Sequence, residues 1–327
     1  MKILVIGGAG YIGSHAARHL NEAGNEVWVY DNLIYGHKAA TAPGQLIEGD
    51  ILDRAKLESV LRDKEIEAVM HFAAFAMVGE SVLKPHKYYQ NNVVGTLELL
   101  EAMRATDVRK IVFSSTTATY GVPKSIPIRE SEEQKPINPY GFSKLVIEEA
   151  LSDYAKAYNF SYAALRYFNA AGASPSGEIG EDHTPESHII PLILQVALGQ
   201  REHITVYGKD YPTPDGTCIR DYVHVDDLAS AHLKALELLE EGKGMELNLG
   251  TGKGTSVRQV IDACREITGH AIPEVDGDRR PGDPPELVAD SSLAQATLRW
   301  QPQYKTIEPI IETAWNWHRS HPNGYAT

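Results

Sequence analysis

The sequence predicts a doubly wound α/β fold, in which helices cover both faces of a parallel sheet. In the first half of the 327-residue chain, short apolar runs alternate with amphipathic stretches, which is the pattern of repeated strand–helix units. A glycine-rich turn joins the first apolar run to the first amphipathic stretch. After about residue 169 the alternation breaks down, so we expect a smaller second domain beside the sheet.

The elements of the first half follow from the spacing of apolar residues. Gly24 suits the position just after the first helix, where a left-handed backbone is common, and Asp53 suits the N-cap of the second. Strands that alternate with helices pair in parallel and are buried on both faces. The predicted strands are 2–6, 26–30, 68–72, 110–113 and 162–167, and the predicted helices are 12–23, 53–62, 86–105 and 140–158.

The second half has a different organisation. Gly, Pro, Ser and acidic residues crowd positions 172–186, which predicts a loop. We divide the chain into domains at 1–170 and 171–327, with segments near 218–250 returning to the first sheet. The predicted elements that follow the loop are helices at 187–198, 226–240, 256–267 and 306–319 and strands at 204–207 and 246–249.

Composition excludes several classes of partner. The net charge is −13, and such a surface repels phosphate backbones, so we expect no nucleic acid partner. No run of 18 apolar residues is present, so we expect no membrane span. The two cysteines, Cys218 and Cys264, lie far apart in the sequence. This cysteine usage predicts neither a disulfide scaffold nor a metal site and indicates a cytoplasmic protein.

The glycine-rich turn contains Gly7, Gly10 and Gly13, the spacing of a dinucleotide-binding fingerprint. Such glycines allow a tight turn, close approach of the backbone to a pyrophosphate, and close packing of the helix that begins at Tyr11 and Ile12. The helix N-terminus then offers free N–H groups to the anion. A purely structural glycine turn is the alternative, but the strand–turn–helix context favours a dinucleotide site of the Rossmann type.

Two acidic residues extend the predicted dinucleotide site. Asp31 closes the second strand, where a carboxylate binds the ribose hydroxyls and repels a 2′-phosphate. Asn32 follows without an arginine, so NAD is favoured over NADP. Asp50 and Ile51 are candidate contacts to the edge of the adenine, although a simple turn into the second helix explains them equally well.

The chemistry is predicted at Tyr140 and Lys144, which share one face of a helix at a spacing of four. A nearby ammonium lowers the pKa of a tyrosine, and a tyrosine so tuned serves as a general base. Pro139 suits a helix start. Ser114 and Thr116 directly follow the predicted parallel strand 110–113, at the edge of the sheet where ligands bind. A Tyr and a Lys on the surface of a helix are the structural alternative.

Longer motifs carry a family resemblance over nearly the whole chain. GGAGYIGSH at the N-terminus, SSTTATYG around Thr116 and PYGFSK around Tyr140 resemble the extended short-chain dehydrogenase/reductase family. RYFNAAGA around Asn169, VYGKDYPTPDGTCIRDYVHVDDLA around Arg220 and RRPGD at 279–283 are similar to the UDP-glucose 4-epimerases of that family. The block at 204–228 is the most specific, because it belongs to the half that binds the nucleotide sugar.

The resemblance implies a reversible C4 epimerisation of UDP-glucose and UDP-galactose. Tyr140 is then the base, Lys144 tunes it and bonds the nicotinamide ribose, and Thr116 orients the sugar hydroxyl. NAD takes hydride from C4, the 4-keto sugar turns over, and hydride returns to the other face, with the cofactor tightly bound throughout. The resemblance also places six residues beside the cofactor: Phe72, Ala73, Ala74, Asn91, Ser114 and Tyr167.

Apart from Thr116 and Tyr140, the substrate contacts that the resemblance implies lie at Asn169 and further along the chain. Arg220 and Arg280 match diphosphate clamps, although pairing of surface arginines with Asp221 or Asp283 is the alternative. Two departures stand out: Ala76 replaces a lysine near the cofactor, which predicts looser NAD retention, and Leu287 replaces the tyrosine of relatives restricted to plain hexoses. The full set of implied substrate contacts is Thr116, Tyr140, Asn169, His188, Tyr207, Arg220, Tyr222, Arg280, Asp283 and Leu287.

Rival functions and the oligomeric state complete the predictions. A 4,6-dehydratase is excluded, because the acidic pair that follows the Thr in those relatives is Thr117-Ala118 here. An epimerase of another UDP sugar (a uronate or pentose) and a non-catalytic NAD-binding module stay open. The resemblance implies a homodimer that pairs helices 86–105 and 140–158. The apolar residues that we assign to the two faces are Val93, Leu97, Leu100 and Met103, and Leu145, Ile147, Ala150 and Leu151.

Overall fold

The computed structural model describes residues 1–280 and 283–325, and its centre is a seven-stranded parallel sheet. The spatial order of the strands is β3-β2-β1-β4-β5-β6-β10, and every neighbouring pair is parallel. The predicted doubly wound fold is therefore confirmed. The strands are β1 (Lys2–Ile6), β2 (Glu26–Asp31), β3 (Leu46–Glu48), β4 (Ala68–His71), β5 (Lys110–Thr116), β6 (Ser161–Tyr167) and β10 (Gly244–Leu249).

Helices cover both faces of this sheet, as its apolar strands require. One face packs on α1 (Tyr11–Glu22), α8 (Val225–Glu237) and α10 (Ser292–Leu298). The other face packs on α2 (Arg54–Asp63), α5 (Gly95–Ala105) and α6 (Pro139–Tyr158). Two predicted helix signals are confirmed: the Asp53 side chain accepts a hydrogen bond from Lys56 N at 3.1 Å, and Gly24 has φ +82°.

The helix expected at 86–105 is divided, which corrects the sequence prediction. It consists of α4 (Pro85–Tyr88), a π-helical turn (Tyr89–Val94) and α5, and a short α3 (Val78–Leu83) precedes it. Asn92 in the π turn is buried and bonds backbone atoms of Phe75 in both directions, at 2.9 and 3.0 Å. The π-helical turn therefore carries a buried amide, that of Asn92, which holds the segment that follows β4.

The smaller part of the molecule lies beyond the carboxyl ends of the central strands. Its four-stranded sheet joins β7 (Asn169–Ala171), β9 (Ile219–His224), β11 (Gly254–Ser256) and β13 (Glu286–Leu287). A two-stranded sheet joins β8 (Ile204–Tyr207) to β12 (Glu274–Gly277). The helices α7 (Ile189–Ala197), α9 (Val257–Thr268) and α11 (Ile307–Ser320) enclose a separate apolar core.

Residues 225–249 return to the central sheet as α8 and β10, whereas β9 lies in the smaller sheet. The sequence did not predict β9, because the charged residues Arg220 and Asp221 interrupt its apolar pattern. Two residues of the motif at 279–283, Pro281 and Gly282, lie outside the described residues. Among the helices of residues 1–280 and 283–325, none combines the length and apolar character that crossing a bilayer demands.

Candidate active site

The glycines of the fingerprint turn have different structural reasons to be glycine. Gly7 has φ +75°, and a Cβ there would lie 2.5 Å from Ala73 N. A Cβ on Gly13 would collide with the Gly7 carbonyl oxygen. At Gly10, by contrast, a Cβ would meet only the Gly7 oxygen, at 3.4 Å. Packing within the chain therefore explains Gly7 and Gly13, while Gly10 leaves open space at the start of α1.

The open space lies at a helix N-terminus with free donors. Gly10 is the N-cap of α1 and has no side chain to satisfy the first-turn N–H groups. Such groups bind anions, and the helix dipole adds to the attraction. Tyr11 and Ile12 form the first turn, and the Tyr11 hydroxyl donates to the Gly172 carbonyl at 2.6 Å. This contact ties the turn to the loop after β7.

Asp31 lies at the end of β2, beside the fingerprint turn. Its carboxylate accepts hydrogen bonds from Ala9 N at 3.0 Å and Leu33 N at 2.9 Å. Burial raises the pKa of Asp31, while the backbone donors act in the opposite direction. Each oxygen retains a further lone pair that a ribose hydroxyl could meet.

Asp50 and Ile51 border the same edge of the sheet. Asn32 Nδ2 donates to Asp50 Oδ2 at 3.0 Å, and the Asp50 carbonyl accepts from the Tyr30 hydroxyl at 2.9 Å. Ile51 is buried and packs so closely on α5 that a Cβ on Gly95 would lie 2.5 Å from its Cγ2. Asp50 and Ile51 therefore form the turn into α2 and are also in the place where they would contact the edge of an adenine.

The segment after β4 continues this edge. The N–H groups of Phe72 and Ala73 both donate to the Ile6 carbonyl, at 2.8 and 3.1 Å. Ala74 follows them half-buried, and Asn91 bonds Asn92 through its side chain at 2.9 Å. These predicted cofactor-lining residues thus follow the carboxyl ends of β1 and β4, next to the fingerprint turn.

Thr116 and Tyr140 meet at the carboxyl end of β5. Tyr140 is in the first turn of α6, which Asn138 caps through a hydrogen bond from Gly141 N at 2.8 Å. The Thr116 hydroxyl accepts from Ala118 N at 3.2 Å and lies close enough to the Tyr140 phenol to lower its pKa. Because Thr116 Oγ1 already accepts one bond, its own hydrogen is available for the phenol oxygen.

Lys144 lies one turn further along α6 and is 2% exposed. Its ammonium donates to the Ser114 carbonyl at 2.7 Å and lies 4.6 Å from the centre of the Phe113 ring. Burial lowers the pKa of Lys144 to about 7, although Glu148 acts in the opposite direction. Ser114 Oγ also contacts the Tyr167 hydroxyl. The end of β5 is therefore held by α6 and β6 together.

The electrostatics of Tyr140 correct one prediction. We expected Lys144 to lower the pKa of Tyr140 toward neutrality. Burial instead raises the pKa of Tyr140, and the opposing influence is the nearby Thr116 hydroxyl. The lysine ammonium is directed to the Ser114 carbonyl, and its own pKa is depressed, so in the chain itself Thr116 favours the phenolate.

A buried ion pair beneath α6 was not predicted. Glu148 and Arg166 form three hydrogen bonds of 2.6 to 3.1 Å, and both side chains are almost fully buried. Ser115 Oγ donates to Glu148, and Arg166 NH1 donates to the Tyr120 hydroxyl at 2.9 Å. Glu148 follows Lys144 by one helical turn, and this spacing within an otherwise apolar helix face was the available sequence signal.

The predicted diphosphate arginines lie in the smaller part of the molecule. Arg220 on β9 pairs with Asp283 through NH2 and donates to the Ile219 carbonyl at 2.7 Å. The local pairing foreseen as the alternative is therefore present for Arg220 and Asp283. Asp221, in contrast, accepts hydrogen bonds from Thr251, including its backbone N–H at 2.9 Å.

Arg280 borders an open pocket of about 360 Å³. Its guanidinium lies 4.1 Å above the ring of Tyr207, which is 43% exposed at the end of β8. An exposed aromatic ring under a guanidinium is a surface on which a flat base and an anion can bind together. The residues that line the pocket are Val122, Tyr211, Arg279, Arg280, Asp283, Pro284 and Pro285.

The remaining predicted substrate residues fall on the four-stranded sheet of the smaller part of the molecule and at the start of α7. Asn169 is in register with Tyr222 in the β7–β9 pair, and Leu287 is in register with Arg220 in the β13–β9 pair. Tyr222 is buried, whereas Asn169 and Leu287 are half-buried. His188, the N-cap residue of α7, contacts Glu181 and Glu186, two acidic residues that the sequence analysis did not single out.

Comparisons with known proteins agree with this geometry. The sequence profile of the NAD dependent epimerase/dehydratase family matches residues 3–250. The UDP-glucose 4-epimerase of Halalkalibacterium halodurans is 54% identical over 328 residues, which cover 100% of this chain and 98% of that protein. A crystal structure of UDP-glucose 4-epimerase from Brucella ovis in complex with NAD is 51% identical, with a TM-score of 0.93 and coverage of 96% and 97%.

A third comparison includes a nucleotide. The structure of UDP-glucose 4-epimerase from Bifidobacterium longum in complex with NAD+ and UDP is 40% identical and has a TM-score of 0.95, with coverage of 99% of this chain and 100% of that one. The similarity thus spans both the central sheet and the smaller part of the molecule. The chain belongs to the NAD dependent epimerase/dehydratase family.

Proposed function

We propose that this protein interconverts UDP-glucose and UDP-galactose by inverting C4, with NAD bound throughout the cycle. The observation that carries the proposal is the meeting of Thr116, Tyr140 and Lys144 at the sheet edge that also bears the fingerprint turn. The relatives named above, which share 40–54% identity over nearly the full length, are UDP-glucose 4-epimerases. This agreement favours epimerisation over a non-catalytic NAD-binding role.

The residues of the central sheet fit a bound dinucleotide. The space left at Gly10, with the free N–H groups of α1, suits a pyrophosphate, and Asp31 suits a ribose. We therefore propose 1–170 as the NAD-binding domain, with Ala76 where a lysine would strengthen retention. The proposed cofactor contacts are Gly7, Gly10, Tyr11, Ile12, Gly13, Asp31, Asn32, Asp50, Ile51, Phe72, Ala73, Ala74, Asn91, Ser114, Tyr140, Lys144 and Tyr167.

The catalytic residues move one proton at the sugar 4-hydroxyl. Tyr140 takes this proton in the forward half of the cycle and returns it in the second half, while Thr116 bonds the phenol oxygen and favours its ionised form. Lys144 fixes the helix turn against the end of β5 through Ser114. When bound, NAD supplies the transient oxidation of C4 that makes the stereocentre planar.

We propose that residues 171–327, apart from 225–249 and α10, which pack with the central sheet, form the nucleotide-sugar domain. Arg220 and Arg280 present two guanidinium groups on neighbouring strands and loops, which suits a diphosphate. Tyr207 offers its exposed ring to uracil, and Asp283, now paired with Arg220, offers a carboxylate to the uridine ribose. The other proposed substrate contacts are Thr116, Tyr140, Asn169, His188, Tyr222 and Leu287.

We also propose that two chains pair through α5 and α6. An exposed apolar surface, here named the α5–α6 patch, consists of Tyr89, Val94, Leu97 and Phe142. The rings of Tyr89 and Phe142 are 6.3 Å apart and perpendicular, so the patch joins the π-helical turn that leads into α5 to the start of α6. This set corrects the predicted faces, because Leu100, Met103, Ile147 and Leu151 are buried in the core instead. A cytoplasmic location is supported by two buried, unpaired cysteines.

The decisive experiment offers UDP-galactose to the purified protein without added cofactor. We expect UDP-glucose to form and NAD to be released when the protein is denatured. Tyr140→Phe is the matched control, since it removes only the phenol oxygen: turnover should fall by about 10²–10⁴, as for loss of a general base, with NAD still bound. Absence of product from the wild type, even with NAD supplied, would refute the proposal.

A further inference from the structure

Four metal-ligating side chains converge in the loop before α7. Glu181, His183, Glu186 and His188, here named the Glu–His cluster, each place one ligand atom within 4.8 Å of the others. The two carboxylate side chains are only 4% and 6% exposed. Two carboxylates that share a buried site are unusual, because each carries a desolvation cost that a cation must offset.

The ring nitrogens of both histidines point to the same carboxylates. His188 Nδ1 lies 2.5 Å and His183 Nδ1 3.2 Å from Glu181 Oε1. The oxygens of Glu186 lie 3.4 Å from His188 Nδ1 and 3.8 Å from His183 Nδ1. Two nitrogen and two oxygen donors therefore surround one small volume.

A second observation concerns Glu181 alone. Its Oε1 atom is buried and accepts no hydrogen bond of acceptable direction from any described residue, although both imidazoles are close. The short contacts are therefore not aligned as N–H···O bonds. A buried carboxylate oxygen without a donor is costly, and a cation at the centre of the cluster would satisfy it.

The charge of the cluster can be balanced in two ways. Burial alone would lower the pKa of each imidazole, but the carboxylates outweigh it and hold the pKa of His183 and that of His188 above their ordinary value. One divalent cation held by two neutral imidazoles would balance the charge of the same two carboxylates. The same carboxylates act on two groups that face the cluster from other elements: together with burial they raise the pKa of Tyr11 on α1, and they oppose the lowering by burial of the pKa of His318 on α11.

We propose that the Glu–His cluster is a binding site for one divalent transition-metal ion of the Zn²⁺ class. The ion takes Nδ1 of His183 and His188 and one oxygen each of Glu181 and Glu186. Two imidazole and two carboxylate donors suit Zn²⁺, Co²⁺ or Ni²⁺, whereas Ca²⁺ and Mg²⁺ prefer all-oxygen sites.

The place of the cluster indicates a structural ion. The ring of His183 lies 6.2 Å from that of Tyr11, in the first turn of α1, and His188 begins α7. The Trp317 indole on α11 donates to the Glu181 carbonyl at 3.2 Å. An ion here fixes residues 181–188 between the fingerprint helix and the smaller domain. Because Nδ1 is the ligand, His188 Nε2 remains free for the substrate contact proposed above.

The test is a titration of the metal-free holoenzyme with Zn²⁺ against a chelator of known affinity. We expect one ion per chain in the wild type and in His270→Ala, which removes an exposed histidine outside the cluster. His183→Ala should weaken binding about tenfold or more, the scale of losses in metal sites. Equal affinity in the wild type and His183→Ala, or no binding by the wild type, would overturn the proposal.

Two further readouts do not depend on activity, so the metal site can fail while the epimerase proposal stands. Co²⁺ added to the wild type should give the visible absorption of a low-symmetry site with nitrogen and oxygen ligands. Zn²⁺ should raise the Tm of the wild type and of His270→Ala but not that of His183→Ala, since a ligand that binds only the folded state stabilises it. A Co²⁺ spectrum identical to that of the aquo ion would contradict the site without any variant.

Discussion

Lys144 donates a hydrogen bond to the Ser114 carbonyl oxygen, 2.7 Å away, from a side chain that is 2% exposed. The contact joins the helix that bears Tyr140 to the strand end that bears Thr116. A buried amine with its pKa lowered to about 7 is a group whose protonation changes within the range in which enzymes are assayed. Its consequences are therefore measurable in stability as well as in rate.

The depressed pKa of Lys144 predicts a pH-dependent stability. Between about pH 7, its folded-state pKa, and 10.5, its ordinary value, the unfolded chain binds more protons than the folded one. The free energy of unfolding contributed by this group therefore rises with pH across that window and is lowest below it. Lys144→Met removes the penalty, so it should stabilise the NAD-free protein more at pH 7 than at pH 9, by on the order of 1–3 kcal/mol.

Denaturant unfolding of both proteins at the two pH values measures this difference. Lys144→Arg serves as the control, because it keeps a cation that does not lose its proton in this range. A difference between wild type and Lys144→Met that is the same at pH 7 and pH 9 would mean that Lys144 does not titrate there.

The proximity of the Thr116 hydroxyl to the Tyr140 phenol predicts a shift of the pH–rate profile. The hydroxyl lowers the pKa of Tyr140 against the raising effect of burial. Thr116→Val removes the donor, so the phenolate forms only at higher pH and the acidic limb of kcat/KM should move to higher pH. At neutral pH we expect a loss of about tenfold to a hundredfold, the value of a hydrogen bond to a charged group.

Thr116→Ser separates this role from packing, because it retains the hydroxyl. Its acidic limb should coincide with that of the wild type. A profile of Thr116→Val that only scales down, with an unmoved acidic limb, would show that Thr116 orients the substrate without tuning the base.

The sequence predicted the central sheet and the edge of the sheet that carries the candidate active site, because both depend on local patterns. Apolar runs located β1, β4 and β5, and Pro139 with the Tyr–Lys spacing located α6, since helix starts and strand periodicity are encoded over a few residues. The partner of Lys144 was not predictable in this way. It is a backbone carbonyl 30 residues earlier in the chain, and only the tertiary packing of α6 on β5 brings the two together.

Contacts between residues that are far apart in the sequence also account for other features of the structure that the sequence did not predict. Glu148 and Arg166 belong to different elements, so their pairing is a property of the fold. The Glu–His cluster, in contrast, lies within eight consecutive residues, and its alternation of Glu and His was visible in the sequence. The two distant cysteines speak only against thiolate ligands, and a site built from Glu and His needs no cysteine.

Removing one partner of the Glu148–Arg166 pair should lower the stability of the protein more than replacing both partners. Arg166→Met leaves a buried, uncompensated carboxylate and should destabilise the protein by about 3–5 kcal/mol. The double variant Glu148→Leu/Arg166→Met removes both charges and should recover much of that loss. Chemical denaturation of the two variants and the wild type measures it. A double variant less stable than Arg166→Met would contradict this account.

The α5–α6 patch predicts how the oligomer responds to a charge. Leu97→Glu places a carboxylate in the middle of an apolar surface, which a dimer interface does not tolerate. We expect the wild type to be a dimer by light scattering and Leu97→Glu to be a folded monomer. Leu293→Glu on α10 is the matched control, since Leu293 is exposed to a similar extent outside the patch. A wild type that is monomeric at micromolar concentration would refute the interface.

Leu287 predicts the breadth of substrates. It is in register with Arg220 in the β13–β9 pair, and Arg220 is a proposed diphosphate clamp, so Leu287 borders the sugar side of the site. Leucine fills less space than the tyrosine of hexose-restricted relatives, but it offers no partner to an amide. An acetamido group left unpaired there costs about 1–3 kcal/mol. We therefore expect activity on UDP-N-acetylglucosamine that is weaker than on UDP-glucose.

Leu287→Tyr should abolish the N-acetyl reaction and retain the hexose reaction, with kcat/KM measured for both substrates in each protein. If the wild type does not turn over the N-acetyl sugar and Leu287→Ala does not create that activity, Leu287 is not the wall beside the 2-substituent.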